Sequence, residues 1–223
     1  MKVFVLIGLL LAGSVCAFGQ TSFDIKNASK YFDIKVEVAT CDEYSCKGEA
    51  KFSFSKKNAA TPYQVIELPE TYVQLDAGKP LVNVTRLYDD QSVVNVDDYN
   101  FDGMEDVAIC NGTNGSYGGP SYDVYLSDRR QKKFVYSEAL TLLGSHLGMF
   151  EVDKKAKTLE TFDKSGCCWH ITERYKVVRD KPVKIFEMVE DATTGIDDRV
   201  KITTKTLVRG KWKTSVRYEK MEQ

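Results

Sequence analysis

Residues 32–38 read Phe32-Asp33-Ile34-Lys35-Val36-Glu37-Val38, and apolar and charged side chains alternate at every position. Successive side chains of a β-strand point to opposite faces of its sheet, so this stretch has one apolar face and one charged face. The pattern predicts a half-buried strand whose apolar residues enter the core.

The same period of two recurs along the chain. Apolar side chains alternate in four further stretches, which are Ala50, Phe52 and Phe54; Tyr122, Val124 and Leu126; Val200, Ile202 and Thr204; and Trp212, Val216 and Tyr218. Short connections between such runs favour antiparallel neighbours. The sequence therefore predicts an all-β protein of antiparallel hairpins that form a sandwich or a propeller-like array. One short helix is expected over residues 137–147, with Ser137 as its N-cap and Leu140, Leu143 and Leu147 on one stripe.

Length and composition are those of an ordinary soluble protein. The 223 residues are 43% hydrophobic, and 31 Lys and Arg stand against 32 Asp and Glu, which gives a formal net charge of −1. These values exclude a disordered tail, a collagen-like chain and a polytopic membrane protein. A net charge near zero gives no general field that attracts phosphate backbones. We expect no local basic patch and no nucleic-acid partner.

The N-terminus has the features of a secretory signal peptide. A basic residue precedes an apolar run over residues 3–12, and small residues follow at Ala17 and Gly19. Cleavage is expected before Gln20, with a cut before Phe18 as the alternative.

Two kinds of anchor are alternatives to cleavage and release. The apolar run is shorter than the ~20 residues that a membrane-spanning helix needs. A lipid anchor at Cys16 is disfavoured because Val15 stands where a lipobox has a small residue. We therefore predict a periplasmic or secreted protein whose mature chain has no transmembrane segment.

Five cysteines follow the signal peptide, and export places them in an oxidising compartment. Cys41 and Cys46 lie between two strand-like runs and are expected to close a hairpin with a local disulfide. Adjacent Cys167 and Cys168 would point to opposite faces of an extended segment, so one of them is expected to pair with Cys110. A vicinal bridge is the less favoured alternative because it requires a distorted peptide.

The most specific motif is the run Asp-Tyr-Asn-Phe-Asp-Gly-Met-Glu-Asp over residues 98–106. Side chains with oxygen ligands occupy loop positions one, three, five and nine, and a Gly occupies position six. Position seven can add a backbone carbonyl. The predicted ligand set is therefore Asp98, Asn100, Asp102, Asp106 and the carbonyl of Met104. Position twelve is Ile109, where an EF-hand has Glu, and strand-like residues flank the run. We predict a Ca²⁺ loop in a β-hairpin, with an acidic turn as the alternative.

This loop resembles the Asp-x-Asn-x-Asp-Gly-x-x-Asp element of integrin-type FG-GAP repeats. A second resemblance covers residues 93–191 and includes GGPSYDVYL at 118–126, FVYS at 134–137, LGMF at 147–150 and SGCCWH at 165–170. In this order the segments are similar to the calcium-binding periplasmic immunity proteins that protect bacteria from type IV secreted peptidoglycan hydrolases.

The resemblance implies that a protruding loop inhibits a lysozyme-like hydrolase by filling its substrate cleft. The Gly-rich residues 111–122 are the candidate loop, because glycines allow the backbone to enter a narrow groove. The expected partner-binding residues are Ser116, Tyr117, Gly118, Gly119 and Tyr122. The alternative is a hairpin connection with Tyr122 in the core.

Residues 165–169 also resemble the Ser-Gly-x-x-Tyr loop of other periplasmic lysozyme inhibitors, with Trp169 in place of Tyr. The alternative for this segment is a disulfide-stapled strand with Trp169 buried.

The sequence predicts four regions along the chain: a signal peptide (1–19), an N-terminal β layer (20–80), a calcium-binding inhibitor-like β domain (81–191) and a terminal β-hairpin packed on it (192–223).

The alternatives to inhibition are an enzyme, a zinc-binding protein and an adhesion or glycan-binding module. His170 lies close in sequence to Cys167 and Cys168, but adjacent cysteines in an exported protein more often form disulfides than a catalytic Cys-His pair, so no enzyme is predicted. Zinc is disfavoured because His146 and His170 are the only histidines. A calcium-dependent adhesion or glycan-binding module is the alternative function.

Overall fold

The computed structural model describes residues 21–85, 91–194 and 199–220 and divides them among three antiparallel sheets. The predicted signal peptide, residues 1–19, and Cys16 lie outside these ranges. The prediction of an all-β protein of antiparallel strands with one short helix is confirmed for the described residues.

The first sheet contains six strands: β1 (Thr21–Ile25), β2 (Phe32–Cys41), β3 (Ser45–Lys56), β4 (Pro62–Leu68), β5 (Tyr72–Asp76) and β6 (Lys79–Pro80). Their order is β1-β2-β3-β5-β6, and β4 pairs with β3. The alternating stretch lies in β2 as predicted, since Phe32, Ile34, Val36 and Val38 are all buried.

The second sheet contains four strands: β7 (Val94–Asp97), β8 (Asp106–Gly112), β9 (Ser121–Asp128) and β10 (Lys133–Tyr136). It is the middle layer of the molecule. Val107 and Ile109 of β8 belong to the core shared with the first sheet, whereas Ala108 and Cys110 belong to a second core on the opposite face. Burying an aliphatic side chain on either face contributes ~1.5–3 kcal/mol, so both neighbouring layers hold β8 in place.

The third sheet contains six strands: β11 (Glu151–Asp153), β12 (Thr158–Ser165), β13 (Trp169–Val178), β14 (Lys181–Asp191), β15 (Arg199–Val208) and β16 (Lys211–Lys220). They pair in sequence order, so the C-terminal strands continue the sheet. Leu159 of β12 lies in the second core. Every residue of β16 is exposed, including the alternating Trp212, Val216 and Tyr218.

The predicted helix over residues 137–147 is shorter in the structure. The helix α1 spans Glu138–Thr141, and a 3₁₀-helix, Leu142–Ser145, follows it. Ser137 occupies the N-cap position, but its side chain makes no capping hydrogen bond. Leu140 and Leu143 are buried in the second core as the stripe predicts. No helix within the described ranges is long and apolar enough to cross a membrane.

Candidate functional site

The acidic loop between β7 and β8 coils around its own side chains. The Asp98 carboxylate accepts hydrogen bonds from the backbone N–H groups of Asp102 at 2.9 Å and Gly103 at 2.8 Å. The Asp102 carboxylate accepts one from the backbone of Met104 at 2.8 Å. Gly103 has a φ of 88°, which suits glycine at this sharp turn. These three bonds are local, since each joins loop residues no more than five positions apart.

Asp106 begins β8 and is fully buried. Its carboxylate accepts hydrogen bonds from the backbone N–H groups of Tyr99 at 2.9 Å and Ser127 at 2.8 Å. Burial nevertheless raises the pKa of Asp106 to about 7, and the charges of Asp102 and Asp98 add to the rise. Within the described ranges no ion pair involves any of these three carboxylates.

The donor chemistry of this loop fits a hard cation. A buried carboxylate beside two acidic side chains is costly unless positive charge compensates it. Calcium prefers carboxylate, amide and carbonyl oxygens, which Asp98, Asn100, Asp102, Met104 and Asp106 can provide. In the described part of the chain no three His, Cys, Asp or Glu side chains lie close enough together to hold a metal ion, so the structure does not gather the three expected carboxylates around one point.

The acidic loop also joins all three sheets. The Asn100 amide donates a hydrogen bond to Asp180 in the β13–β14 turn at 2.9 Å. The Ser29 hydroxyl, from the connection between β1 and β2, donates one to Glu105 at 2.5 Å. Because these contacts start from one loop, its conformation affects how the layers pack.

The Gly-rich connection between β8 and β9 forms a tight projection. A 3₁₀-helix, Ser116–Gly118, lies at its centre, and the backbone N–H of Gly115 donates to the carbonyl of Gly119 at 2.9 Å. A Cβ at Gly115 would lie 2.7 Å from the Pro120 carbonyl oxygen, so only glycine fits. Tyr117 has φ 58° and ψ 24° and is 65% exposed. The left-handed backbone turns its ring outward at this position.

The turn between β12 and β13 fixes this projection from the side. The Tyr117 hydroxyl accepts a hydrogen bond from the backbone N–H of Gly166 at 2.6 Å, and the Lys164 ammonium lies 5.2 Å from the centre of the Tyr117 ring. The Ser116 hydroxyl donates to Asp163 at 2.8 Å, and the Ser116 backbone N–H donates to the His146 carbonyl at 3.0 Å. The structure thus combines into one surface the two segments, 111–122 and 165–170, that the sequence suggested separately.

The cysteine pairing corrects part of the sequence analysis. The bridge Cys41–Cys46 is present as predicted. The expected bridge from Cys110 is wrong, because Cys167 and Cys168 form a vicinal disulfide and Cys110 is a buried free thiol. The two adjacent cysteines lie in the turn after β12 and not in an extended strand, so the argument from opposite strand faces does not apply.

Tyr122 is also corrected as a partner-binding residue. Its ring is fully buried, and its hydroxyl donates a hydrogen bond to the Ser92 carbonyl at 2.8 Å. A Cβ at Gly144 would lie 2.9 Å from the Tyr122 carbonyl oxygen, which shows how closely the helical segment packs on it. Trp169, by contrast, is only partly buried at the start of β13. Of the predicted partner-binding set, Ser116, Tyr117, Gly118 and Gly119 belong to the projection.

Sequence reasoning missed the side chains that hold the projection in place. Asp163, Lys164 and His146 are far from Tyr117 in sequence and carry no motif. Only the pairing of β12 with β13 and the packing of the helical segment bring them to this place, so no local signal identifies them.

A solved structure provides the comparison with known proteins. The chain is similar to a Xanthomonas protein. That protein is described as related to a type IV secretion system, and the two match with a TM-score of 0.69 and 25% sequence identity over 90% of this chain and 94% of that chain. No protein-family model and no curated protein matches the chain.

Proposed function

We propose that this chain is an exported immunity protein that inhibits a lysozyme-like peptidoglycan hydrolase. The proposed contact region consists of Ser116–Gly118 and residues 163–168, and we call it the inhibitory surface. One observation carries the proposal: the exposed Tyr117 ring stands on a loop whose backbone is hydrogen-bonded within itself and to His146, and the Tyr117 hydroxyl accepts a further bond from Gly166. The similarity to a type IV secretion system related protein supports the bacterial secretion context in which such immunity is needed. The proposal includes no enzymatic activity of the chain itself.

The chemistry of the inhibitory surface suits the cleft of a glycoside hydrolase. Such clefts contain a pair of catalytic carboxylates, which accept hydrogen bonds and attract positive charge. The Tyr117 hydroxyl accepts the bond from Gly166, so its own O–H remains able to donate to a carboxylate. Lys164 adds positive charge beside the ring. A rigid aromatic anchor also loses little entropy on binding, which favours tight complexes.

Calcium has a supporting part in the proposal. Asp98, Asn100, Asp102, Asp106 and the Met104 carbonyl would hold the ion, which supplies the positive charge that the buried Asp106 carboxylate needs. Asp106 begins β8, and β8 leads directly to the Gly-rich projection. An acidic loop ordered by calcium would therefore fix the start of β8, and β8 fixes the base of the inhibitory surface.

A direct test uses the purified chain and the hydrolase that it captures. Immobilised protein is incubated with secreted bacterial extracts, retained hydrolases are recovered, and their hydrolysis of purified peptidoglycan is measured against increasing inhibitor. The wild type should inhibit, and Tyr117→Ala should weaken the complex by ~1–3 kcal/mol, as expected for an aromatic anchor. Tyr117→Phe separates the contribution of the ring from that of the hydroxyl.

Tyr44→Ala is the matched control, because Tyr44 is 71% exposed in the β2–β3 hairpin. It should inhibit as the wild type does. If Tyr117→Ala protects peptidoglycan equally well, the projection is not the inhibitory element. If no peptidoglycan hydrolase is retained or inhibited, the proposed function is wrong.

A further inference from the structure

Two tight turns lie at the same end of the third sheet. The turn Arg179-Asp180 joins β13 to β14, and the turn Arg209-Gly210 joins β15 to β16; each has positive φ at both of its residues. Two-residue turns with this backbone hold antiparallel strands in a rigid hairpin. Alternate turns of an antiparallel meander lie at the same end of the sheet. We call residues 176–183 and 208–213 the paired tips.

Apolar side chains are exposed at the paired tips. Val178 is 52% exposed, Val183 42%, Val208 38% and Trp212 46%. Val208 pairs with Lys211 and Leu207 pairs with Trp212, so Val208 and Trp212 lie on opposite faces of the β15–β16 hairpin, and this tip exposes an apolar side chain on each face. Trp is favoured where an apolar medium meets water, because its ring is apolar and its N–H is polar.

The paired tips are also strongly cationic. Their exposed basic residues are Lys176, Arg179, Lys181, Arg209, Lys211 and Lys213. In the ranges 21–85, 91–194 and 199–220, no ion pair involves any of these six. Asp180 is the single acidic residue of the paired tips, and its carboxylate accepts the hydrogen bond from Asn100.

The expectation that the chain has no local basic patch is therefore wrong. Residues 199–220 contain eight Lys or Arg and one Glu, a formal charge of +7 in a chain whose formal net charge is −1. The rest of the chain balances this charge, so overall composition conceals it. The strand period places the cations at alternate positions, so no run of adjacent basic residues appears in the sequence.

We propose that the paired tips dock on an anionic phospholipid surface. The cations would lie among the headgroup anions, and Val178, Val183, Val208 and Trp212 would enter the boundary with the acyl chains. An anionic polymer would use the cations but not the four apolar side chains. A second copy of this chain would bring two hairpins of the same charge together, which is unfavourable. Lipid is thus the partner that uses both features.

Binding to vesicles tests this proposal with the full mature chain. Vesicles of phosphatidylglycerol and phosphatidylcholine should sediment the protein at low salt, whereas phosphatidylcholine alone should not. Each Lys or Arg near an anionic surface contributes a factor of about five, so Lys211→Ala/Lys213→Ala should lower the affinity about thirty-fold. In a Trp169→Phe background, Trp212 is the only Trp left of two, and its emission should shift to shorter wavelength on binding.

The matched control removes the same charge from another hairpin. Lys132→Ala/Lys133→Ala changes two exposed lysines at the start of β10 and should bind vesicles as the wild type does. Trp212→Ala should weaken binding without changing the net charge. The proposal is overturned if phosphatidylglycerol vesicles do not bind, or if Lys211→Ala/Lys213→Ala binds them as tightly as the control. Retention by peptidoglycan sacculi without vesicle binding would also overturn it and assign the paired tips to an anionic polymer.

Discussion

Asp106 is the residue whose protonation connects the acidic loop to stability. In calcium-free protein the free energy of unfolding should fall as the pH rises from about 4 to about 7. The pKa of the Asp106 carboxyl is about 7 in the native state, whereas the ordinary value of 3.8 applies to the unfolded chain, so the native state binds more protons in this interval. The loss is at most about 4 kcal/mol, at ~1.4 kcal/mol for each unit of pKa shift.

Urea unfolding in the presence of a chelator measures this effect across the pH range. Asp106→Asn should reduce the slope, because the amide does not titrate; burial also raises the pKa of Asp123, which would account for any slope of the same sign that stays. Asp24→Asn, at an exposed position of β1, should leave the slope unchanged. A wild-type profile that is flat between pH 4 and 7 would show that Asp106 ionises normally in the native state.

Cys110 gives a second prediction at the residue scale. From Thr21 onward it is the single free thiol in the structure, and it is buried. Alkylation should therefore give no adduct on native protein and one adduct, at Cys110, after unfolding without reductant. Mass spectrometry of peptides reads out both states. A peptide in which Cys110 is joined to Cys167 or Cys168 would contradict the vicinal bridge.

Cys167, Cys168 and Tyr122 show what sequence reasoning could and could not predict. Ser165-Gly166 is a local turn signal directly before Cys167 and Cys168, but nothing in the sequence shows that the two cysteines bond to each other. Tyr122 is different, since it alternates with Val124 and Leu126 and thus already belonged to an inward-facing strand pattern. Its burial was predictable, whereas the disulfide was not.

At the scale of elements, the Gln64 side chain joins β4 to β10 by two hydrogen bonds. The Gln64 amide donates to the Phe134 carbonyl at 2.8 Å and accepts from the Phe134 backbone N–H at 2.7 Å. The Phe134 ring packs edge to face against Phe32 and Phe54, with centroid distances of 5.4 and 5.0 Å. Gln64 therefore completes the hydrogen bonds of an edge strand in the shared core.

Gln64→Ala should destabilise the protein by about 1–3 kcal/mol, because it leaves two backbone groups of Phe134 without their partners. Denaturant unfolding measures the change. The control is Gln131→Ala, in the exposed turn before β10, which should change stability by no more than about 0.5 kcal/mol. Equal effects of the two substitutions would mean that solvent replaces the Gln64 contacts.

The strands were predictable from the sequence, but their arrangement in sheets was not. Alternation identifies β2 and β9, and the unbroken apolar run over residues 107–110 suits a strand buried on both faces. Which strand forms the middle layer depends on contacts between distant residues. The helix is shorter than predicted where Gly144 packs closely on Tyr122, a tertiary contact that the helical stripe does not encode.

At the scale of the whole molecule, the acidic loop contacts all three layers, so calcium should stabilise the fold as a unit. Binding to the native state alone raises its stability. Asp102→Ala should therefore lower the melting temperature in calcium, while in chelator the variant and the wild type should melt at similar temperatures. Calorimetry with and without chelator makes the comparison. If chelator-stripped wild type binds no calcium, the assignment of the loop is wrong.

The length of β13 sets the distance between the inhibitory surface and the paired tips. Its ten residues, at ~3.3 Å each, span about 30 Å from Trp169, beside the inhibitory surface, to Val178 at the paired tips. A molecule docked through the paired tips would hold Tyr117 at a constant height above the lipid and would search for its target in two dimensions. Enzymes that work within that height would meet the inhibitor, and enzymes deeper in the cell wall would escape it.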